Sequence, residues 1–139
     1  MTKAVSPEEA QALMAEGQTY VDVRSEPEFE AGHPAGAVNV PISNMGAGGL
    51  EPNPDFMAVM QRIFPKDAKL VIGCKTGGRS RRAATLLTSA GYTSIADMVA
   101  GFSGSRDAFG RPSPGWSDKG LPVETGAPEG RSYPDMKKR

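Results

Sequence analysis

Apolar positions along the chain fall into two alternating rhythms, short β-branched runs and longer stripes at helical spacing. Ser6-Pro7-Glu8-Glu9 opens the first helix. The serine caps it, proline suits its first position, and Glu9 reaches back to close a capping box. This helix runs to about Glu16, where Gly17 supplies a left-handed stop. Tyr20-Val21-Asp22-Val23 follows as a short buried strand, with Arg24 and Ser25 at its carboxyl end. Glu26 to Ala31 reads as a helical turn, and Val38-Asn39-Val40 as a strand stopped by Pro41. The glycine-rich segment from Asn44 to Asn53 predicts a mobile loop. Phe56, Val59, Met60 and Ile63 form one apolar stripe, which predicts a helix from Pro54 to Phe64 that Pro65 ends. Lys69-Leu70-Val71-Ile72-Gly73 is the clearest strand, and it runs directly into Cys74. A helix from about Ser80 to Ala90, a stop at Gly91 and a strand from Ser94 to Asp97 complete the series. Short strands alternating with helices predict an α/β fold, a central parallel sheet with helices on both faces.

The length of 139 residues suits one domain. We place it at residues 1–125, with 126–139 as a polar C-terminal tail that orders only against a partner. Beyond Gly101 the composition turns to Gly, Ser, Arg and Pro, and residues 102–115 read as an insertion near the functional face. Trp116, after it, reads as core or rim packing.

Charge narrows the partners. Sixteen basic and sixteen acidic residues give a formal net charge of zero, which removes the long-range attraction that nucleic acid or an anionic membrane would need. Cys74 is the only cysteine, so an intrachain disulfide, a four-thiolate zinc site and an iron–sulfur cluster are excluded within one chain. No metal and no cofactor is expected. The first twenty residues are broken by Pro7, Glu8, Glu9, Glu16 and Gly17, unlike a signal peptide, and no run is long enough to span a bilayer. With a free thiol, these features lead to the expectation of a cytoplasmic protein.

The chemistry concentrates at Cys74. Ligands of open α/β sheets bind beyond the carboxyl ends of the strands, where Cys74 lies. Gly77 and Gly78 can take backbone angles closed to other residues and turn amides inward as an anion-binding nest. The helix that follows adds the positive potential of its unpaired N–H groups, and Lys75 and Arg79 add formal charge. Such surroundings favour an ionised, reactive sulfur over the small buried hydrophobe that a lone cysteine usually is.

The loop Cys74-Lys75-Thr76-Gly77-Gly78-Arg79-Ser80 resembles the active-site loop of rhodanese-like domains. Val21-Asp22-Val23-Arg24, then Glu28-Phe29 and Gly32-His33-Pro34-Ala35-Gly36-Ala37-Val38-Asn39-Val40-Pro41, are similar to that family's N-terminal signature. The resemblance covers about Ser6 to Val123. It implies a sulfurtransferase in which Cys74 takes sulfane sulfur from a small anionic donor such as thiosulfate. The persulfide then passes sulfur to cyanide, a thiol or a protein acceptor. Carried over by position, Cys74 is the nucleophile, Lys75 to Arg79 are the cradle, Ser80 starts the helix behind it, and Lys75 helps hold the donor. Four residues separate Cys74 from Arg79. Cysteine phosphatases and arsenate reductases resemble this fold with a loop one residue longer, so the shorter ring fits one sulfur better than a phosphate. Two departures stand out: Pro34 directly follows His33, and Trp116 comes only after the insertion.

Plainer readings compete for several residues. Asp22 and Arg24 either shape the pocket beside Cys74 or form a paired scaffold, since buried charges need partners. His33, the only histidine, reads as structural rather than as the partner of a Cys–His pair. Arg81 and Arg82 read as a solvated face that can also steer an anionic donor or an acidic protein surface. Against persulfide transfer stand a non-enzymatic binding or sulfur-sensing module and, third, a cysteine phosphatase or arsenate reductase.

Overall fold

A computed structural model describes residues 2–139. The first half contains β1 (Thr2–Val5), α1 (Pro7–Ala15), β2 (Thr19–Asp22), α2 (Glu26–Ala31), β3 (His33–Pro34), β4 (Val38–Asn39), β5 (Ser43–Gly46), β6 (Gly49–Pro52) and α3 (Phe56–Ile63). The second half contains β7 (Leu70–Gly73), α4 (Gly78–Ser89), β8 (Ile95–Met98), β9 (Ser105–Arg106), β10 (Pro112–Ser113), β11 (Val123–Glu124) and α5 (Tyr133–Lys138). The main sheet has five strands in the order β1-β8-β7-β2-β4, and every neighbouring pair is parallel. Helices cover both faces, as the alternation predicts.

Strand alternation decides which side chain enters which half of the core. Val21, Val23, Leu70, Ile72 and Cys74 point to one face and pack with Phe56, Val59 and Met60 of α3 and Ala83, Ala84 and Leu87 of α4. Tyr20, Val71, Ala96 and Met98 point to the other and pack with Ala10 of α1, Phe29 of α2, and Trp116. β7 is buried along its whole length, as befits the central strand of a parallel sheet. The capping box predicted at Ser6 is present: Glu9 N–H donates to Ser6 Oγ and Ser6 N–H to Glu9 Oε1. Trp116 is core, with its indole N–H donating to Pro122 O.

Two sequence expectations are corrected here. Residues 44–53 are not an irregular loop but largely the antiparallel hairpin β5–β6, in which Met45 faces Leu50 across the strands. The glycines at 46, 48 and 49 make its turn, and Glu51 accepts a hydrogen bond from Gly48 N–H. Residues 126–139 are not a loose tail. α5 lays Tyr133 and Met136 into the core beside α3, and Asn53 Nδ2 donates to Tyr133 Oη at 2.8 Å. Asn39 N–H donates to Arg131 O, and Arg131 pairs with Glu124. Only two large apolar anchors in fourteen residues were too few to register as a stripe.

Met136 is fully buried, so Met136→Ala should destabilise the protein by about 2–5 kcal/mol, as other large-to-small core changes do. Urea unfolding checks this; an unchanged midpoint would mean that the C-terminal helix is not part of the folded unit.

Candidate active site at the carboxyl end of the sheet

Cys74 leaves the end of β7, and three residues later the chain enters α4. Gly77 is what allows so short a passage. Its φ is +101°, and a Cβ built there would collide with the carbonyl oxygen of Val99. Gly78 has open space around it, so the two glycines are not equivalent. In this conformation Gly77 N–H donates to Cys74 Sγ at 3.0 Å. Ser80, buried in the first turn of α4, donates from Oγ to Gly77 O at 3.1 Å and fixes the loop from behind.

The loop is clamped from its other side by the segment after β8. Phe102 N–H donates to Cys74 O at 2.7 Å and Ser103 N–H to Lys75 O at 3.0 Å. The approach is so close that a Cβ on Gly101 would meet Lys75 O and Thr76 N. Gly101 and Phe102 are therefore part of the site, although as sequence they stand only at the edge of the 102–115 insertion. The signal available was the glycine at 101, placed four residues beyond a predicted strand end.

The sulfur itself is closed in. Cys74 is 1% exposed and counts among the residues of the α3/α4 half of the core. The expectation of a ring of amides and cations around an open sulfur is thus met by one amide, that of Gly77, over a buried atom. The two cations differ. Lys75 is exposed at the loop surface. Arg79 is not free: Nη1 and Nη2 donate to the two oxygens of Glu28 at 2.7 and 2.9 Å, tying α4 to α2. Glu28 also accepts from the Ser25 hydroxyl and amide. Arg79 chiefly, against some desolvation, holds the Glu28 carboxyl down at about 2. Thr76 and Gly78 are exposed and complete the loop surface.

Asp22 and Arg24 do not stand beside the sulfur. Register pairs Asp22 with Gly73, so Cys74 lies one position on, and its side chain points to the opposite face from Asp22 and Arg24. The two form a buried pair, with Arg24 Nη2 donating to Asp22 Oδ2 at 2.7 Å and Nε to Oδ1 at 3.0 Å. Arg24 also donates to Gly32 O, and Asn39 Nδ2 donates to the carbonyls of both residues. Losing one partner of such a pair costs about 3–5 kcal/mol, because a charge is left buried. Arg24 reaches the loop indirectly: its guanidinium stacks 4.5 Å over the Phe102 ring, and both line a cavity with Glu28, Gly32, Lys75 and Ser103.

Asp97, which the sequence reading placed only within a strand, does share the face of Cys74. It pairs in register with Ile72, is buried, and leaves Oδ1 without a hydrogen-bond partner. Burial raises its carboxyl above the ordinary range, against the pull of Ser80 and Arg81. Its signal was a charged residue in the core-facing register of a short strand. His33 is buried and engaged elsewhere. Its ring stacks on Phe29 at 3.6 Å, Phe29 O accepts from Nδ1, and Nε2 lies 3.0 Å from Glu124 Oε1. Both nitrogens are taken, so His33 has none left for a partner thiol. No helix is long and apolar enough to cross a membrane, and no cluster of metal-binding side chains occurs among the described residues.

The Glu28–Arg79 pair gives a pH signature. A carboxyl lowered from 4.5 to about 2 on folding adds stability above the upper value, which is lost as pH falls through the lower one. Wild-type unfolding midpoints should therefore fall more steeply across that window than those of Glu28→Gln. Parallel curves would mean that the pair adds nothing to stability.

Comparison with known proteins agrees with this geometry. The family model described as "Rhodanese-like domain" matches residues 6–108. The chain is 39% identical over 121 residues to "Thiosulfate sulfurtransferase 16, chloroplastic" of Arabidopsis thaliana, covering 87% of this chain and 92% of the relative. It is 36% identical to "Rhodanese-like domain-containing protein 15, chloroplastic" of the same plant, over 83% of this chain but only 57% of that protein's length. Among solved structures, Rv0390 from M. tuberculosis superposes with a TM-score of 0.73 at 29% identity, covering 91% of this chain and 98% of its own. The expected cytoplasmic location is overturned by these relatives, both of which are named chloroplastic. A free thiol indicates a reducing milieu, which the cytoplasm is not alone in offering. Sequence signature, sheet order and loop placement converge, and the chain belongs to the rhodanese-like domain family.

Proposed function

We propose that the protein is a sulfurtransferase that carries sulfane sulfur as a persulfide on Cys74. The observation that supports this reading best is the Gly77 amide aimed at Cys74 Sγ from the turn before α4. A backbone N–H and a helix N-terminus stabilise negative charge on sulfur without a metal and need no reorganisation as the charge moves. Thiosulfate is the donor most in keeping with a relative named thiosulfate sulfurtransferase.

The steps balance simply. The Cys74 thiolate attacks the outer sulfur of thiosulfate, a new S–S bond forms, and sulfite leaves with the electron pair of the bond that breaks. Cyanide or a thiolate then attacks the outer sulfur of the persulfide. Thiocyanate or an acceptor persulfide departs, and the Cys74 thiolate is restored. Lys75, exposed at the loop, supplies the charge that draws the dianionic donor. Asp22, Arg24 and Phe102 act at one remove, by fixing the segment on which the loop rests. Arg79 acts likewise, through Glu28. The run of four residues between Cys74 and Arg79 favours this chemistry over phosphate or arsenate chemistry.

The protein incubated with thiosulfate should gain the mass of one sulfur atom, lose it on addition of cyanide, and release thiocyanate in equal amount. Cys74→Ser should do none of these. Phosphatase turnover without sulfur uptake would reverse the reading.

A further inference from the structure

The exposed apolar side chains are not scattered evenly. Among the described residues six large ones are well exposed, and three of them stand on hairpins that leave the sheet at its carboxyl end. Met45 and Leu50 are 55% and 49% exposed and face each other across β5–β6, which follows β4. Phe109, 84% exposed, sits at the tip of the hairpin β9–β10, which follows β8. A fourth, Val99, lies directly against Gly77. In the strand order β1-β8-β7-β2-β4, the strand bearing Cys74 lies between the two strands that launch these hairpins.

One hairpin is built directly onto the cysteine loop and the other reaches it through α2. The root of β9–β10 holds the loop through the Phe102 and Ser103 amides. The depression under this hairpin and the cavity beside Lys75 share Ser103 as a wall. β5–β6 is fastened to α2, where Glu26 N–H donates to Asn44 Oδ1 and Asn44 Nδ2 to Glu26 Oε2. The same helix carries Glu28, the partner of Arg79.

The exposed cations on this face are free of ion pairs. Lys75, Arg81, Arg82, Arg106 and Arg111 are exposed and make no salt bridge among the described residues. Of the nearby carboxylates, Glu28 is ion-paired with Arg79, whereas Glu26, Glu51, Asp107 and Asp118 accept hydrogen bonds from Asn44 or from backbone amides and keep their charge, and the five cations outnumber them. Neither thiosulfate nor cyanide can use an apolar frame of this size. Exposed aromatic and Arg side chains set about a reactive centre are instead the composition of a protein-binding patch.

We infer that the two hairpins and the basic rim form a docking surface for an acidic protein or peptide that presents a cysteine thiol, the acceptor of the Cys74 sulfur. The acceptor thiolate attacks the outer persulfide sulfur, the Cys74 Sγ–S bond breaks, and the acceptor leaves as a persulfide. This rests on the function proposed above, and the test separates the two.

The probes are three peptides of equal length, each with one cysteine and one leucine, flanked by glutamates, by serines or by lysines. The variants are Phe109→Ser/Arg111→Ser and Met45→Ser/Leu50→Ser, all at exposed positions outside the sulfur chemistry. Binding is read by anisotropy with labelled peptides in which the cysteine is replaced by serine, so it needs no persulfide. Transfer is read as kcat/KM with the thiol peptides, and cyanide kinetics report on the cysteine loop. The expected result is binding and transfer that favour the acidic peptide, weaken with salt, and drop about ten-fold in each variant, with cyanide turnover unchanged. Equal handling of the three peptides, or variants as good as wild type with the acidic one, overturns the docking surface while leaving persulfide chemistry intact. If no sulfur loads but the acidic peptide still binds through the hairpins, the proposed function fails and the surface stands as a binding site.

Discussion

The position of the sulfur depends on backbone pressed against backbone at the carboxyl end of the sheet. The cysteine loop and residues 99–103 approach so closely that neither Gly77 nor Gly101 could carry a side chain without striking the other segment. Two amide-to-carbonyl bonds, from Phe102 to Cys74 and from Ser103 to Lys75, hold them there. The turn is then forced, the left-handed angle at Gly77 aims its amide at Sγ, and α4 begins immediately behind. A loop fixed by backbone contacts leaves Lys75 and Thr76 free to face solvent and substrate.

Around this clamp the ionic groups serve as braces. Asp22 with Arg24 steadies the segment beneath Phe102, and Glu28 with Arg79 joins two helices across the site. Neither pair hydrogen-bonds the sulfur. Their value lies in geometry, since a reacting atom misplaced by about 1 Å can cost a hundred-fold in rate. The arrangement also explains how a chain of zero net charge can present a basic face. Its carboxylates on that side accept internal hydrogen bonds and are outnumbered by cations that make no salt bridge.

Much of this was legible in the residues, for physical reasons that differ by element. The strand at 70–73 was plain because a central parallel strand is apolar on both faces, and α2 was bounded correctly at Glu26 to Ala31, which the structure closes with a capping box at Ser25 and Glu28. The loop from Cys74 to Ser80 lies where the strand-glycine-helix order puts it. What stayed hidden depended on pairing across the fold. A glycine-rich stretch gave no sign that Met45 and Leu50 would oppose each other, and Tyr133 and Met136 alone did not announce a docked helix. Asp22 and Arg24 were read at the right strand end and, in one of two readings, as a paired scaffold, which is what they form; the face they occupy depends on a register that a shift of one position would reverse. Arg79 read as a free cation because its partner lies 51 positions away.

The central claim is that the Gly77 amide bears the charge that develops on the sulfur of Cys74. The most direct test is the proton–nitrogen correlation spectrum of labelled protein before and after loading with thiosulfate. The account predicts that the Gly77 amide proton moves downfield on loading, returns when cyanide removes the sulfur, and fails to respond in Cys74→Ser. A loaded protein in which the Gly77 resonance stays in place while other amides move would contradict it.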